Sequence, residues 1–303
     1  MVYIDAHCHV STVVDGEVNI PGENEIVQCV MSTNQFDWEI VKNMGASSRR
    51  VASFGIHPWY CHMFIPGKCT VDKRAHYSDV LDYKDTDEFE SLLLQLPDPL
   101  SLEKYIAAEF NPASVAVVGE IGLDKLFRLP THGFFKGNRE TSLTRVRVKM
   151  SHQLIVFRRL CTLATIYGKS VSIHGVKCHG LLFDTCKELL LPFKEVNICL
   201  HSYTGTIDIL NGFWFKQFPV DRVYLSLSKW INFKSEQVAK DLIQALPKSS
   251  ILTETDFPID MCPPERLHEE LLHICLKITE YLQLKSTERC KDMIYKNFQR
   301  FIK

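Results

Sequence analysis

Short, nearly continuous apolar segments recur along the chain and are separated by longer amphipathic segments. Such apolar runs are typical of strands that are buried on both faces of a parallel sheet. We predict eight strands, at Val2–Ile4, Ile26–Met31, Val51–Gly55, Val115–Val118, Ser170–Ile173, Val196–Leu200, Arg222–Leu227 and Ser250–Leu252. Helical periodicity predicts helices at Phe36–Met44, Thr144–Tyr167, Lys177–Leu191, Thr206–Phe218, Ser235–Leu246, Pro264–Leu284 and Thr287–Ile302.

The alternation of strands and helices predicts an α/β fold with a parallel sheet. Eight strands and a length of 303 residues fit a single TIM-type (β/α)8 barrel that spans residues 1–303. The link between the first two strands, residues 10–25, lacks helical periodicity, so we expect the first unit to be degenerate.

Composition and charge restrict the partners and the location of the protein. Apolar residues make up 46% of the chain and charged residues 23%, which is typical of a folded protein. The formal net charge of −1 creates no global field, so any contact with nucleic acid must be local. The eleven cysteines follow no disulfide spacing, and no apolar run is long enough to span a membrane. We therefore expect reduced thiols, no membrane contact and a cytoplasmic location, with the nucleus as the alternative.

Side chains that can bind metals follow several of the predicted strands. His7 and His9 lie two residues apart, so on a strand their imidazoles face the same side. The other candidates are Glu120, His174, His201 and Asp256. The C-terminal ends of barrel strands meet on one face, where residues that are distant in sequence converge. Each residue alone could be a hydrogen-bonded residue of the barrel rim, but together these nitrogen and oxygen donors predict a centre for two divalent cations.

Such a centre predicts hydrolysis. Two cations lower the proton affinity of water between them, and a carboxylate such as Asp256 could accept its proton as a general base. The cations would also neutralise the charge that develops on a phosphodiester. No G-x-S-x-G motif is present and no cysteine falls in a recognised nucleophile motif, so we predict no enzyme nucleophile. The mixed donor set suits Zn, Mn, Fe or Co, and also Mg where carboxylate and water dominate.

The same residues belong to motifs that resemble those of the TatD family of metal-dependent hydrolases and deoxyribonucleases. The motifs occur in the family's order, span almost the whole chain and read YIDAHCH, GIHP, VVGEIGLD, SIH, LHSYTG, TETDFP and KNFQRF. The resemblance implies a (β/α)8 barrel with a two-metal centre that cleaves phosphodiester bonds in DNA.

The resemblance also implies how the candidate ligands divide between the two cations. The first cation would be held by His7, His9 and Asp256, the second by His174 and His201, and both by Glu120. Asp256 would in addition orient the attacking water. The candidate catalytic residues are therefore Asp256 and Glu120.

Three further residues are expected beside this centre. Asp5 lies two residues before His7, and we predict that it accepts a hydrogen bond from an imidazole. His57 in GIHP resembles a family histidine that would contact substrate; a structural hydrogen bond before the proline turn is the alternative. Lys177 follows the SIH motif where the family commonly has an arginine, so it could contact phosphate only as a point charge.

Two segments of opposite charge are prominent in the sequence. The basic segment, residues 125–149, has seven Lys or Arg and one acidic residue, and Lys125 and Arg128 are its candidate substrate contacts. This segment favours a phosphate-bearing substrate, with Phe127, Phe134 and Phe135 available to stack on bases; a solvated loop is the alternative. The acidic segment, residues 79–90, has six Asp or Glu and one lysine, so we expect it to face solvent or a protein partner.

Two alternatives to a deoxyribonuclease remain open. One is a metal-dependent hydrolase of another ester or amide substrate, which would have a small closed pocket and would not use the basic segment. The other is a protein-interaction scaffold that keeps the barrel and works through the acidic segment. The complete ligand set favours an enzyme over a scaffold.

Overall fold

The computed structural model of the protein describes residues 1–12, 20, 22, 25–44, 49–67, 72–135 and 142–303. Its centre is an eight-stranded parallel sheet in which the strands follow one another in chain order. The strands are β1 (Tyr3–Cys8), β2 (Ile26–Met31), β3 (Arg50–Phe54), β4 (Val117–Asp124), β5 (Ser170–Val176), β6 (Ile198–His201), β7 (Val223–Ser228) and β8 (Ile251–Glu254). The α/β class and the eight-stranded barrel that the sequence predicts are confirmed.

Helices connect the strands and surround the sheet. The longer ones are α1 (Gln35–Val41), α2 (Lys73–Val80), α3 (Thr86–Gln95), α4 (Leu102–Glu109), α5 (Met150–Tyr167), α6 (His179–Leu190), α7 (Glu236–Ala245), α8 (Pro264–Tyr281) and α9 (Thr287–Phe301). Shorter helical segments cover Ile207–Ile209, Leu210–Trp214, Phe215–Gln217 and Lys229–Asn232. In the described part of the chain, no helix combines the length and the apolar character needed to cross a membrane.

The sheet nearly closes where β8 returns to β1. The Thr253 hydroxyl donates to the Ile4 carbonyl, which links the two strands deep in the barrel. Beyond the end of β8, the Asp256 amide donates to the His7 carbonyl at 3.0 Å, and the His9 amide donates to the Phe257 carbonyl at 2.9 Å. The last turn of the barrel is therefore held by loop hydrogen bonds between residues near the two ends of the chain.

The core lies between the strands and the helices around them. In α8 the buried residues recur at spacings of three and four, as Leu267, Leu271, Ile274 and Ile278 do. Burial of one such side chain contributes about 1.5–3 kcal/mol to stability, so this face fixes α8 against the barrel. Directly before β7, the buried Arg222 guanidinium donates to three carbonyls, those of Leu190, Leu191 and Val196.

Three strands extend by three or more residues beyond the ends that the apolar pattern predicts. The predicted ends at Ile4, Val118 and Ile173 are wrong, because β1, β4 and β5 continue through polar and glycine residues. The backbone ladder persists there although the apolar pattern stops, since the polar side chains point into the barrel mouth and bond to one another. His7, Glu120 and His174 therefore lie within strands rather than after them.

Two other sequence predictions need correction. The helix predicted from Thr144 begins only at Met150, because Arg147–Val148 instead pairs antiparallel with Leu81–Asp82. The helix predicted over Thr206–Phe218 is interrupted by a π-helical turn at Leu210–Trp214. Most of the link between β1 and β2, for which no helix is predicted, lies outside the described residues.

Candidate metal centre

The six predicted ligands meet at the C-terminal end of the barrel. They are His7 in β1, His9 after β1, Glu120 in β4, His174 in β5, His201 at the end of β6 and Asp256 after β8. A cavity of about 1080 Å³ opens above them, and all of these residues except His7 line it.

Glu120 lies at the middle of this group. Its Oε2 faces one pair of imidazoles, at 3.3 Å from His7 Nε2 and 3.4 Å from His9 Nε2. Its Oε1 faces another pair, at 3.0 Å from His174 Nδ1 and 2.8 Å from His201 Nε2. The two oxygens of one carboxylate therefore divide the nitrogen donors into two sets.

The backbone around Glu120 is unusually close to its neighbours. A Cβ at Gly55 of the β3–α2 connection would lie 2.3 Å from the Gly119 carbonyl carbon, and a Cβ at Gly122 would lie 2.0 Å from the His174 carbonyl oxygen. Gly122 also has a φ of +152°, a backbone conformation that residues with a side chain rarely adopt. The β4–β5 ladder shifts register between Val118 and Ile121, the interval that contains Glu120.

Asp256 joins the first donor set. Its Oδ1 lies 3.3 Å from His9 Nε2 and 3.8 Å from His7 Nε2, and about a third of its side chain is exposed. The residue adopts a left-handed backbone conformation, with φ of +59°. Strain of this kind persists only where surrounding contacts fix it, and here the bond from the Asp256 amide to the His7 carbonyl does so.

Asp124 orients His174 from outside the ligand set. Its Oδ2 accepts from Trp59 Nε1 at 2.8 Å and lies 3.2 Å from His174 Nε2, while Oδ1 accepts from the amides of Leu126 and Phe127. Burial alone would raise the pKa of Asp124, but the hydrogen bonds from His174 and Trp59 lower it. An ionised Asp124 keeps the proton of His174 on Nε2 and leaves Nδ1 free to bind a cation.

Ser172 and Glu254 lie beside the outer ring nitrogens of two other imidazoles. Ser172 Oγ lies 2.9 Å from His7 Nδ1, and Glu254 Oε1 lies 3.5 Å from His201 Nδ1. Glu254 is fully buried and accepts hydrogen bonds from Ser202 and Ser226. Asp124 and Glu254 belong to the sequence motifs, but the sequence alone predicts no role for them and does not identify Ser172. An acidic residue near the end of a predicted strand is the signal that could have identified the two carboxylates.

Asp5 has a different partner from the predicted one. Its carboxylate accepts from the Thr255 amide at 2.8 Å and from the Thr255 hydroxyl at 2.6 Å. The prediction that it bonds to an imidazole is wrong, because His7 Nδ1 is already paired with Ser172. Burial raises the pKa of Asp5 to about 7. Asp5 instead holds the segment that carries Asp256.

His57 lies against the second donor set. Its Nε2 is 3.2 Å from Glu120 Oε1, and its Nδ1 accepts from the Trp59 amide at 3.1 Å. Burial lowers the pKa of His57 to about 4, which keeps the imidazole neutral. One ligand atom each from His57, Glu120 and His174 lie within 4.8 Å of one another. The structure therefore places the predicted substrate contact His57 where it could also bind a cation.

The other predicted substrate contacts lie outside the cavity wall. Lys125, Arg128 and Lys177 are exposed, and none of them lines the cavity. The Lys125 amide donates to the Val176 carbonyl, so the chain leaves β4 along β5 rather than across the barrel mouth.

The basic and acidic segments lie beside each other. Leu81–Asp82 pairs with Arg147–Val148, the Arg145 amide donates to Glu88 Oε1 at 3.1 Å, and Lys149 Nζ donates to the Asp79 carbonyl. The two segments are therefore held together by hydrogen bonds that each involve a backbone group. The middle of the basic segment, residues 136–141, includes Lys136, Arg139 and Glu140 and lies outside the described residues.

The phenylalanines that were candidates for base stacking differ in their accessibility. Phe127 stacks on Trp59 with ring centroids 4.6 Å apart, and Phe134 is buried. Phe135 lines the cavity and packs edge-on against Trp59. Of these three rings, Phe135 is the one on the cavity wall.

The electrostatics of the centre fit divalent cations. Burial alone would raise the pKa of Glu120, but His57, His201 and His7 hold it well below its ordinary value. Burial alone would lower the pKa of His201, but Glu120 and Glu254 raise it well above its ordinary value. His7 Nε2 and His9 Nε2 are only 3.1 Å apart, so their lone pairs require a proton or a cation between them. Imidazole and carboxylate donors suit Zn, Mn or Fe, and Mg where carboxylate dominates.

Comparison with known proteins agrees with this picture. The family model described as TatD related DNase matches residues 4–303. An uncharacterised deoxyribonuclease of Saccharomyces cerevisiae is 47% identical over 310 residues, covering 99% of each chain. The Cut9-interacting protein scn1 of Schizosaccharomyces pombe is 27% identical over 293 residues, covering 84% of this chain and 86% of that protein.

Solved structures show the same fold. A TatD homologue from Escherichia coli superposes with a TM-score of 0.59 at 17% identity, covering 99% of this chain and 97% of the other. An uncharacterised amidohydrolase from Saccharomyces cerevisiae superposes with a TM-score of 0.60 at 12% identity, covering 99% of both chains.

Proposed function

The chain belongs to the TatD related DNase family, a family of hydrolases, and on this premise we propose that it is a deoxyribonuclease that uses two divalent cations. The observation that carries the proposal is the position of Glu120, whose two carboxylate oxygens face separate pairs of imidazole nitrogens. One carboxylate between two donor sets is the arrangement that two neighbouring cations require.

The donor atoms divide into two cation sites that share Glu120. The first would be held by His7, His9 and Asp256, and the second by His174 and His201, with His57 beside it. When bound, the cations would supply Lewis-acid stabilisation of the phosphate and would lower the pKa of water. The donor set suits Zn, Mn or Mg.

The residues of the chain supply orientation and proton transfer. Glu120 and Asp256 both line the cavity, but only Asp256 has about a third of its side chain exposed. Asp256 can therefore accept a proton from water there. Asp124, Ser172 and Glu254 lie beside the outer ring nitrogens of His174, His7 and His201. A proton held on the outer nitrogen leaves the nitrogen that faces Glu120 free to bind a cation. His7, Glu120 and His201 are buried, which strengthens the electrostatic interactions among them.

The test is cleavage of end-labelled single- and double-stranded DNA by metal-stripped protein that is resupplied with Mg, Mn or Zn. We expect cleavage only after a metal is added. Glu120→Gln and Asp256→Asn should each lower the rate by at least about 100-fold, because each removes a charged donor that faces the reaction site. The matched control is Glu265→Gln, which removes an exposed carboxylate at the start of α8.

Metal content, measured by mass spectrometry, gives a second readout. Glu120→Gln should lose both cations, since its carboxylate faces both donor sets, while Asp256→Asn should lose mainly one. Cleavage by both variants at the rate of the control would contradict the proposal. Metal binding without DNA cleavage by the unaltered protein would keep the centre but exclude DNA, and would favour another ester or amide substrate.

A further inference from the structure

One wall of the cavity carries a positive charge that the metal centre does not use. Arg266 lies in the first turn of α8 and lines the cavity together with Asp256 and Phe257. Among the described residues that line this cavity, Arg266 is the only lysine or arginine. The exposed cations Lys125 and Lys177 lie off the wall.

The surroundings of Arg266 leave its charge available to a ligand. Its guanidinium lies over the Phe257 ring, with Cζ 5.0 Å from the centroid. The nearby acid of α8, Glu270, pairs with Lys229 instead, and no carboxylate in the described part of the chain forms an ion pair with Arg266. A positive charge in the first turn of a helix also opposes the helix dipole. The helix dipole therefore does not account for a positive charge at this position.

An exposed aromatic surface continues from this arginine. The Trp230 ring lies 6.5 Å from the Phe257 ring, centroid to centroid, and 54% of Trp230 is exposed. The Phe257 carbonyl accepts from the His9 amide at 2.9 Å, so the ring has a fixed position directly after Asp256. The Arg266 guanidinium and the exposed Trp230 indole thus both lie near the ring of Phe257, the residue that directly follows Asp256.

We infer that Arg266 binds a phosphate that neighbours the scissile one and that Trp230 stacks on a base of the same strand; the inference rests on the proposed deoxyribonuclease function. A planar guanidinium can bind phosphate through two hydrogen bonds while one face remains on an aromatic ring. Aromatic side chains stack on every base, so the site holds the strand without reading its sequence. Arg266 and Trp230 therefore position the substrate and do not take part in the bond cleavage.

Binding by the metal-stripped, full-length protein tests the arginine separately from catalysis. The probe is a fluorescein-labelled single-stranded oligodeoxynucleotide, and its anisotropy is followed at several salt concentrations. Arg266→Gln should weaken binding about tenfold and make the slope of log K against log salt shallower by about 0.7, the effect of one lost phosphate contact. Arg266→Lys should retain the salt slope but bind less tightly. The control Arg289→Gln removes an exposed arginine of α9 that lies off the cavity and should match the unaltered protein.

Stacking by Trp230 is tested with a strand that contains single abasic positions. Trp230→Ala should weaken binding of the intact strand about tenfold, whereas Trp230→Phe should retain most of it. On the strand that lacks the stacked base, Trp230→Ala should cause no further loss. If the alanine variant weakens both strands equally, or neither, Trp230 does not stack on a base.

The outcomes separate this inference from the proposed function. Arg266-dependent binding without cleavage under any metal would support the inference and overturn the nuclease proposal. Cleavage with unchanged affinity and salt slope in Arg266→Gln would overturn the inference and leave the nuclease. Where cleavage is observed, Arg266→Gln should raise KM and leave kcat unchanged, since the contact is made in the ground state and the transition state alike. A fall in kcat alone would contradict a positioning role.

Discussion

A buried group of histidines makes the stability of the protein sensitive to acid. His62, His76 and His152 lie behind the metal-binding face, and each points Nε2 at a backbone carbonyl: that of Gly133 at 3.1 Å, of His62 at 2.8 Å and of Cys61 at 2.9 Å. Each Nε2 therefore carries the proton and donates it. Burial lowers the pKa of His62 to about 3 and that of His152 to about 4.

Because their pKa values are lowered in the folded protein, protonation of His62 and His152 favours the unfolded state. A histidine whose pKa is lower in the folded state than in the unfolded state takes up its proton mainly on unfolding. Its contribution to stability is complete above the unfolded pKa, about 6.5, and is lost as the pH falls towards the folded value. Between pH 7.5 and pH 5, His62 therefore lowers the free energy of unfolding by about 2 kcal/mol, and His152 lowers it by a similar amount. Together these losses are a large share of the 5–15 kcal/mol that stabilises a typical protein.

Replacement of one histidine isolates its share from all other titrating groups. His62→Gln keeps a side-chain N–H that can reach the Gly133 carbonyl but cannot be protonated. At pH 7.5 we expect the variant to have a somewhat lower free energy of unfolding than the unaltered protein. Between pH 7.5 and pH 5 its free energy of unfolding should fall by about 2 kcal/mol less than that of the unaltered protein. The assay is urea unfolding followed by tryptophan fluorescence, with chelator and reductant present at every pH. The control is His132→Gln, which removes an exposed imidazole directly before Gly133 in the chain. Parallel stability curves for His62→Gln and the unaltered protein would refute the reasoning.

Two further predictions concern the barrel itself. Gly55→Ala should lower metal content and activity by at least about tenfold, because the new Cβ would lie 2.3 Å from the Gly119 carbonyl carbon and displace Glu120. The control is Gly180→Ala, whose new Cβ would have no atom within 4 Å. Full activity of a folded Gly55→Ala protein would disprove the close approach. Arg222→Met should lower the free energy of unfolding by about 3 kcal/mol, because the carbonyls of the α6–β6 region lose their buried donor. A loss below about 1 kcal/mol in urea unfolding would show that those carbonyls find other partners.

The fold and the identity of the ligands were accessible from the sequence, whereas the outer partners of the ligands were not. Apolar runs locate all eight strands, because strands buried on both faces must be apolar along most of their length. The same rule misplaces the ends of β1, β4 and β5, since His7, Glu120 and His174 remain in the ladder although they are polar. A strand that ends in a functional site loses its apolar signal before it loses its hydrogen bonds.

Contacts between distant segments depend on register, which one sequence does not reveal. Asp5 and Asp124 both lie near a ligand in sequence, yet only Asp124 bonds to an imidazole. The opposite charges of the acidic and basic segments suggested separate roles, but the pairing of Leu81–Asp82 with Arg147–Val148 brings them together. The sequence therefore indicates which residues carry the chemistry, and the three-dimensional arrangement decides which of them touch.

The seam between β1 and β8 also determines when the site can form during synthesis. The amide of Asp256 and the carbonyl of Phe257, which bond to His7 and His9, are synthesised about 250 residues after those histidines. Contacts of such long range form late, because a long loop must close before they are made. Until then the nascent barrel has an open edge at β1 and lacks one of its carboxylates. The active form of the protein therefore arises only after β8 and Asp256 have been translated, and a chain that ends before β8 has neither a closed barrel nor a complete centre.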